Sequence, residues 1–417
     1  MNDDKHLISK ARSKFIAMAA AYALGVFNDN FFKQAAMLLA VAAGKSKLQG
    51  IATVIFSLPF IIFSAHAGWL ADKFAKKNVI IGTKILELAA MVLGAYGILT
   101  NNWLCIISMV GLMGFQSTLF SPALNGSIPE LYPEWYVSKA NAIVKLVTTL
   151  AILLGIALAG ITLDQRWYNV EFVPFGNLLV SILVILVSIL GVISSFKVNK
   201  YKIKKTSAPF PWLGPINSIK DMFILKREPE LLFALIVSCF FYAVSSLIVL
   251  LLNAYGLSQL KYSQTLTGLL SVALMIGICI GSFLAAKLTA GKKWNRLIII
   301  SIFGISSGLL IISAGPLLSN EIQKPVLFSA LVLTGCFGGM LLIPVASFIQ
   351  IKPAENEKGK ILGVCNFLDF SGILVSGQIF SIICRTKPSF NLFYLSIFCF
   401  LTGIIFYIKT RRINNEK

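Results

Sequence analysis

The sequence predicts an all-α membrane protein, with twelve transmembrane helices in two pseudo-symmetric six-helix bundles. Three observations lead there. Of 417 residues, 57% are hydrophobic and only 13% charged, with a mean hydropathy of +0.82; an ordinary soluble domain carries about 25% charged residues. Apolar runs long enough to cross hydrocarbon, about 20 residues each, recur along the whole chain. The basic residues cluster in alternate loops, so the net charge of +20 reads as membrane topology and not as nucleic-acid binding.

The spans of the first half fall at 15–43, 48–71, 78–99, 103–128, 139–163 and 175–196. Those of the second fall at 231–256, 263–290, 296–318, 325–351, 358–384 and 389–408. Residues 1–196 therefore form one bundle, 197–230 a polar cytoplasmic linker, and 231–417 a second bundle. Most Lys and Arg lie at the termini and in the loops after even-numbered spans. The opposite loops hold Lys45, Lys47, Arg166, Lys261, Lys324, Arg385 and Lys387, and Lys33, Lys84 and Lys145 lie within spans. This asymmetry puts both termini in the cytoplasm.

Span 1 is the exception to its own hydrophobicity. Asn28-Asp29-Asn30, Lys33 and Gln34 sit where hydrocarbon is expected. An Asp or Lys at the centre of a membrane helix costs about 2.5–3.5 kcal/mol and normally faces a bundle interior or a wet cavity. Asp29 and Lys33 are four residues apart and share a helix face. One reading is an ion pair that neutralises itself. The other is a split pair, with Asp29 for an ammonium or coupling cation and Lys33 for a phosphate or carboxylate; the surrounding amides favour it, because a self-satisfied pair does not need them.

Four other intramembrane charges follow. Lys84 and Glu87 on span 3 share a face and read as a structural pair. Lys145 lies about 9 Å into span 5 by helical rise, deep enough to assist a substrate and shallow enough to snorkel. Asp369, near the middle of span 11 beside Asn366 and Ser371, has no basic residue within a turn and suits proton or Na⁺ binding, or else a polar contact to another helix. His66 reads as a satisfied structural histidine. Cys105, Cys239, Cys279, Cys336, Cys365, Cys384 and Cys399 are scattered singly, which argues against a disulfide framework or zinc site. Gly277-x-x-x-Gly281 and Ala151-x-x-x-Gly155 have the spacing of helix-packing contacts.

The linker combines a basic run, Lys197 to Lys205, with an amphipathic stretch, Phe210–Arg227. The positive-inside rule alone accounts for it; Trp212, Ile216, Ile219, Phe223 and Leu225 at the headgroup level is the alternative. Internal repetition supports two halves. Ser121-Pro122-Ala123 at the end of span 4 is echoed by Ile343-Pro344-Val345 at the end of span 10, and Gly68-Trp69-Leu70-Ala71-Asp72 by Gly281-Ser282-Phe283-Leu284-Ala285.

Gly68-Trp69-Leu70-Ala71-Asp72-Lys73-Phe74-Ala75-Lys76-Lys77 resembles the loop between spans 2 and 3 of the major facilitator superfamily. The resemblance implies that fold, alternating access by two rocking halves, and a gating role for Gly68, Asp72 and Lys73. Lys73 replaces the usual Arg and Ala75 the second Gly, and Ala285 stands at the acidic position of the second half. Phe27-Asn28-Asp29-Asn30, Ser121-Pro122-Ala123, Gly126, Glu130, Lys139-Ala140-Asn141 and Ala151-Ile152-Leu153-Leu154-Gly155 resemble the bacterial lysophospholipid transporters, chiefly over the first 165 or so residues. That resemblance implies transport of lysophosphatidylethanolamine-like lipids across the inner membrane to a cytoplasmic acyltransferase, with Asp29 and Asn30 in a central cavity. Leu124 and Lys145 differ from the family's charges at those places, and span 7 lacks its basic residue.

The expectation is therefore a lysophospholipid transporter with no cofactor and no metal. Asp29, Asn30, Lys33 and Lys145 are the binding residues in a cavity lined mainly by spans 1, 4, 5, 7, 8, 10 and 11, and apolar walls on spans 7 and 8 hold the acyl chain. A proton- or sodium-coupled permease using Asp369 or Asp29 is the first alternative, and a non-transporting membrane sensor or scaffold the second. His66 and Asp72 are one residue too far apart for the His-x-x-x-x-Asp acyltransferase motif, and no nucleophile elbow or nucleotide loop is present, so no enzyme is expected.

Overall fold

The computed structural model describes residues 2–132, 134–166, 173–198, 210–216, 219–220, 228–288, 295–353 and 358–415. Lys200, Lys202, Lys204 and Lys205 of the basic run, Phe223, Leu225, Lys226, Arg227, Glu355 and Glu357 lie outside them, as do the side chains of Glu130, Glu134, Lys139, Asn141 and Lys360.

The helices are α1 (Asn2–Ala42), α2 (Lys47–Lys73), α3 (Lys76–Leu99), α4 (Trp103–Leu131), α5 (Glu134–Leu163) and α6 (Phe175–Phe196), then α7 (Pro229–Ala254), α8 (Gln264–Leu288), α9 (Asn295–Ser313), α10 (Asn320–Ile351), α11 (Lys358–Ile383) and α12 (Pro388–Asn415). Each carries a stretch long and apolar enough to cross a membrane. Local sequence explains their ends. Asn102 caps α4 by accepting from the backbone N–H groups of Leu104 and Cys105, and Pro229 opens α7 where its missing N–H costs nothing. Lys77 Nζ donates to the Phe196 carbonyl at 2.7 Å, placing a cation on the C-terminal end of α6. α7 does not stop at Ala254 but widens into a π turn, Tyr255–Gln259, anchored where Tyr255 Oη donates to the Ile312 carbonyl at 2.7 Å.

Packing divides the chain into two compact units: residues 1–36 with 55–215, and residues 37–54 with 216–417. In the first, α3 packs on both α4 and α6, and one core gathers Phe15, Met18, Ile80, Leu124 and Ile128. Gly155 of α5 meets the α1 backbone at the Phe27 carbonyl. The segment Phe210–Gly214 lies on α2: the Phe210 ring is 5.1 Å from His66 and 5.0 Å from Trp69, and Gly214 abuts Ala65.

In the second unit α10 packs on α8 and α9, α9 on α12, and α7 on α11. Lipid tails are as apolar as leucine, so close contact and hydrogen bonds hold such helices together. The α8–α10 crossing shows the first: a Cβ on Gly277, Gly281, Gly335 or Gly339 would run into the facing backbone. Ser306 and Ser396 show the second, each donating to the other's carbonyl at 2.9 Å across α9 and α12. Residues 37–54 join this unit through Asn253 Nδ2, which donates to Gln49 Oε1 at 3.0 Å, and through Gly50, which faces the Gly377 carbonyl.

Candidate functional site

The first unit contains a cavity of about 190 Å³ among α1, α2, α3 and α4. Asp29, Asn30 and Lys33 all line it, joined by Phe56, Phe60, Lys84, Glu87, Gln116, Ser117 and Phe120. Of the polar residues that interrupt α1, Asp29, Asn30 and Lys33 face the cavity, while Asn28 is buried against α3 and α6.

Asp29 takes its hydrogen bonds from α4 and not from its own helix. Ser117 Oγ donates to Oδ2 at 2.6 Å, and Gln116 Nε2 reaches Oδ1 and Oδ2 at 3.4 and 3.5 Å. The Lys33 ammonium lies 4.7 Å from the centroid of the Phe56 ring on α2, a cation–π placement. The two charges of the sequence reading are thus held apart, each by an uncharged partner. Asn30 Nδ2 donates back to the Val26 carbonyl at 2.8 Å, which leaves its carbonyl oxygen for the cavity.

Lys84 and Glu87 do form the expected pair, at 2.6 Å with each side chain 1% exposed. They also line the cavity, which the sequence reading did not anticipate. Lys84 Nζ stands 4.7 Å from the Phe120 ring, and Asn28 joins Glu87 to the α6 backbone.

Other expected residues lie elsewhere. Lys145 is exposed on α5 and outside the cavity lining, whose walls come from α2 and α3 instead of α5. Gly68, Asp72 and Lys73 form the cytoplasmic-loop end of α2 by the predicted topology. Asp72 is exposed, Lys73 Nζ lies 4.4 Å from the Trp69 ring, and Gly68 faces open space among the described residues. His66 is not a satisfied histidine: its Nδ1 is buried without a hydrogen-bond partner among the described residues, and aromatic contacts with Phe63 and Phe210 hold the ring. All seven cysteines are free.

Asp369 belongs to the second unit. It is buried on α11, where Ser238 Oγ of α7 donates to Oδ1 at 2.8 Å and Cys365 Sγ to Oδ2 at 3.4 Å. A separate small pocket in this unit, about 20 Å³, is lined by Phe240, Phe241, Val244, Ile248, Leu274 and Ile278 with residues of α9 and α10. At that volume it has room for about one water molecule and not for the acyl chain expected at spans 7 and 8.

The sequence reading missed Gln116 and Ser117. Their signal was present: Gln116-Ser117-Thr118 interrupts the apolar middle of span 4 as Asn28-Asp29-Asn30 interrupts span 1.

Twelve membrane-length helices and a charged intramembrane cavity define a polytopic membrane transporter. Residues 14–377 match the family model of the Major Facilitator Superfamily, and the chain belongs to that superfamily. Among curated proteins, it is 24% identical over 390 residues to the lysophospholipid transporter LplT of Yersinia enterocolitica, covering 92% of this chain and 89% of that one. LplT of Yersinia pestis (strain Pestoides F) matches at the same identity and coverage. Among solved structures, a D-xylose–proton symporter aligns with a TM-score of 0.72 at 13% identity, over 94% of this chain and 97% of that one. A bacterial homolog of the human lysosomal transporter Spinster, inward-facing and unoccupied, aligns with a TM-score of 0.71 at 13% identity, over 96% and 97%. At these identities the structural likenesses speak to the fold alone.

Proposed function

We propose that this protein moves a lysophospholipid of the lysophosphatidylethanolamine type across the bacterial inner membrane by alternating access, with both termini in the cytoplasm. One observation carries the reading. Asp29 and Lys33 line the same cavity, each held by an uncharged partner, so a zwitterionic headgroup finds a host for both of its charges. Its ammonium meets Asp29, supported by Ser117 and Gln116, and its phosphate meets Lys33. Asn30 adds an acceptor, and Phe56, Phe60 and Phe120 shield the site. The named Yersinia relatives support this choice of cargo. Asp72 and Lys73 act at the gate, and a cytoplasmic acyltransferase consumes the delivered lipid.

Uptake of labelled lysophosphatidylethanolamine into proteoliposomes tests this. The expected result is saturable flux that Asp29→Asn abolishes. A protein that binds no lysolipid, or transports it equally well as Asp29→Asn, refutes the assignment. Flux that requires a proton or Na⁺ gradient and loses that requirement in Asp369→Asn favours a coupled permease, a reading supported by the buried carboxylate between α7 and α11. No flux of any solute, with full tolerance of Asp29→Asn, favours a sensor or scaffold.

A further inference from the structure

The Lys84–Glu87 pair is costly for the fold to keep. Both residues stand on α3, so their contact ties no two helices together. A buried ion pair recovers its desolvation cost only when geometry and additional hydrogen bonds are favourable. Here the additional bonds are poor, since Glu87 Oε1 receives only Asn28 Nδ2, at 3.4 Å. The surroundings nonetheless make room for the lysine. Gly25 on α1 lies so close to the Lys84 ammonium that a Cβ there would collide with it, and Gly191 on α6 flanks its stem. Lys84 is therefore an ammonium delivered to the wall of the cargo cavity.

Asn28 supplies the second clue. Its Nδ2 donates to the Val184 carbonyl at 3.0 Å, which fixes which amide atom is nitrogen. Its Oδ1 is buried with no hydrogen-bond partner among the described residues. A buried acceptor without a donor is costly, and this one belongs to the side chain that already touches Glu87. A proton on Glu87 would supply the missing donor.

Resting on the cargo assignment above, we infer that Lys84–Glu87 is a releasable anion site. A headgroup of net negative charge takes the place of Glu87 on Lys84, and Glu87 takes up one proton from bulk water and donates it to Asn28 Oδ1. The bond formed at Glu87 is a carboxyl O–H, the proton leaves hydronium, and no electrons change hands. The added negative charge and the added proton cancel, so the cavity keeps its total charge, which a desolvated site requires. A zwitterionic headgroup needs no such exchange, because Asp29 and Lys33 receive its two charges.

The titratable groups of the cavity wall around Glu87 are Lys84 on its own helix and Tyr22, Asp29 and Lys33 from α1. The lining residues of α2 and α4 are uncharged, and α6 has no titratable side chain. Asp29 is the rival carboxylate. Ser117 and Gln116 already supply it with donors, whereas a proton on Glu87 has a vacant acceptor, Asn28 Oδ1, to satisfy.

The test is proton uptake on ligand binding, followed with an indicator dye in weakly buffered solution of the purified full-length protein in detergent. The two probes are 1-acyl lysophosphatidylglycerol, with a single negative charge, and 1-acyl lysophosphatidylethanolamine of the same chain length. Both bind, and only the first takes up a proton, about one per molecule bound, as the cancellation of charge demands. Glu87→Gln, whose amide can donate to Asn28 in place of the proton, binds the anionic lipid without proton uptake, whereas Asp369→Asn retains uptake. Lys84→Met weakens the anionic lipid by about tenfold, the scale of a lost charged hydrogen bond, and leaves the zwitterionic lipid within about threefold. Binding of both lipids without protons, or uptake that persists in Glu87→Gln or disappears in Asp29→Asn alone, overturns the inference while sparing the cargo assignment. Binding of neither lipid removes both. If Glu87→Gln fails to fold, uptake that Asp29→Asn and Asp369→Asn each retain supports the inference, and uptake that Asp29→Asn loses overturns it.

Discussion

The two units solve the same architectural problem with opposite chemistry. The first builds its interior around Asp29, Lys33, Lys84 and Glu87 and leaves a cavity among them. The second is filled by leucine, isoleucine and phenylalanine around α7, drawn tight at the α8–α10 crossing by glycine. Its one buried carboxylate among the described residues, Asp369, is paired with Ser238 at 2.8 Å, and Asn253 is paired with Gln49 at 3.0 Å. The contrast teaches that the six-helix bundle does not itself demand charge. In the first unit the charge that persists despite its cost faces a cavity, whereas the lone Asp369 of the second is closed in by Ser238 and Cys365.

The contrast can be broken most severely from the apolar side. Gly339→Val inserts branched atoms where the Ile278 carbonyl and Ser282 backbone of α8 already lie. Overpacking of this kind costs about 1–3 kcal/mol or more, and because backbone cannot yield like a side chain, loss of folded protein on size exclusion is expected. Gly68→Ala, with open space around it, elutes unchanged. The next largest effect comes from the charged side. Ser117→Ala removes the 2.6 Å donor to Asp29 and reduces lysolipid affinity by about tenfold, the size of a lost hydrogen bond to a charged group, measured by equilibrium binding. Asp369→Asn sharpens the contrast, since asparagine still accepts from Ser238: thermal stability in detergent changes by about 1 kcal/mol or less, whatever happens to gradient dependence. The smallest effect is at Lys145, exposed and outside the cavity. Lys145→Gln leaves lysolipid affinity within about twofold, in keeping with the small weight of exposed charges.

How much of this was legible depended on whether one residue or two were needed. Asp29 and Lys33 stood out alone, because a charge in an apolar run is improbable unless it faces polar surroundings. Their partners did not, because Ser117 lies 88 positions away and nothing local states which turn of α4 opposes α1. Asp369 and Ser238, 131 positions apart, were hidden for the same reason. Lys145 misled through depth: helical rise gives distance along the axis, but rotation about it decides whether a side chain reaches a cavity, and α5 turns Lys145 away. Lys84 and Glu87 were legible as a pair because i and i+3 meet on any helix. Their place in the cavity wall was not, since that required α1 to present Gly25 opposite. The fold as a whole was readable because apolar length and basic-loop asymmetry are local, additive signals.

Cys365 carries a practical consequence. Its sulfur sits 3.4 Å from the Asp369 carboxylate, so any aqueous route that opens to that acid also opens to a thiol. A maleimide or methanethiosulfonate reagent, scored against a Cys365→Ser background, then becomes an intrinsic clock for hydration of the second unit, and its labelling rate with and without a lysolipid reads out how often water visits.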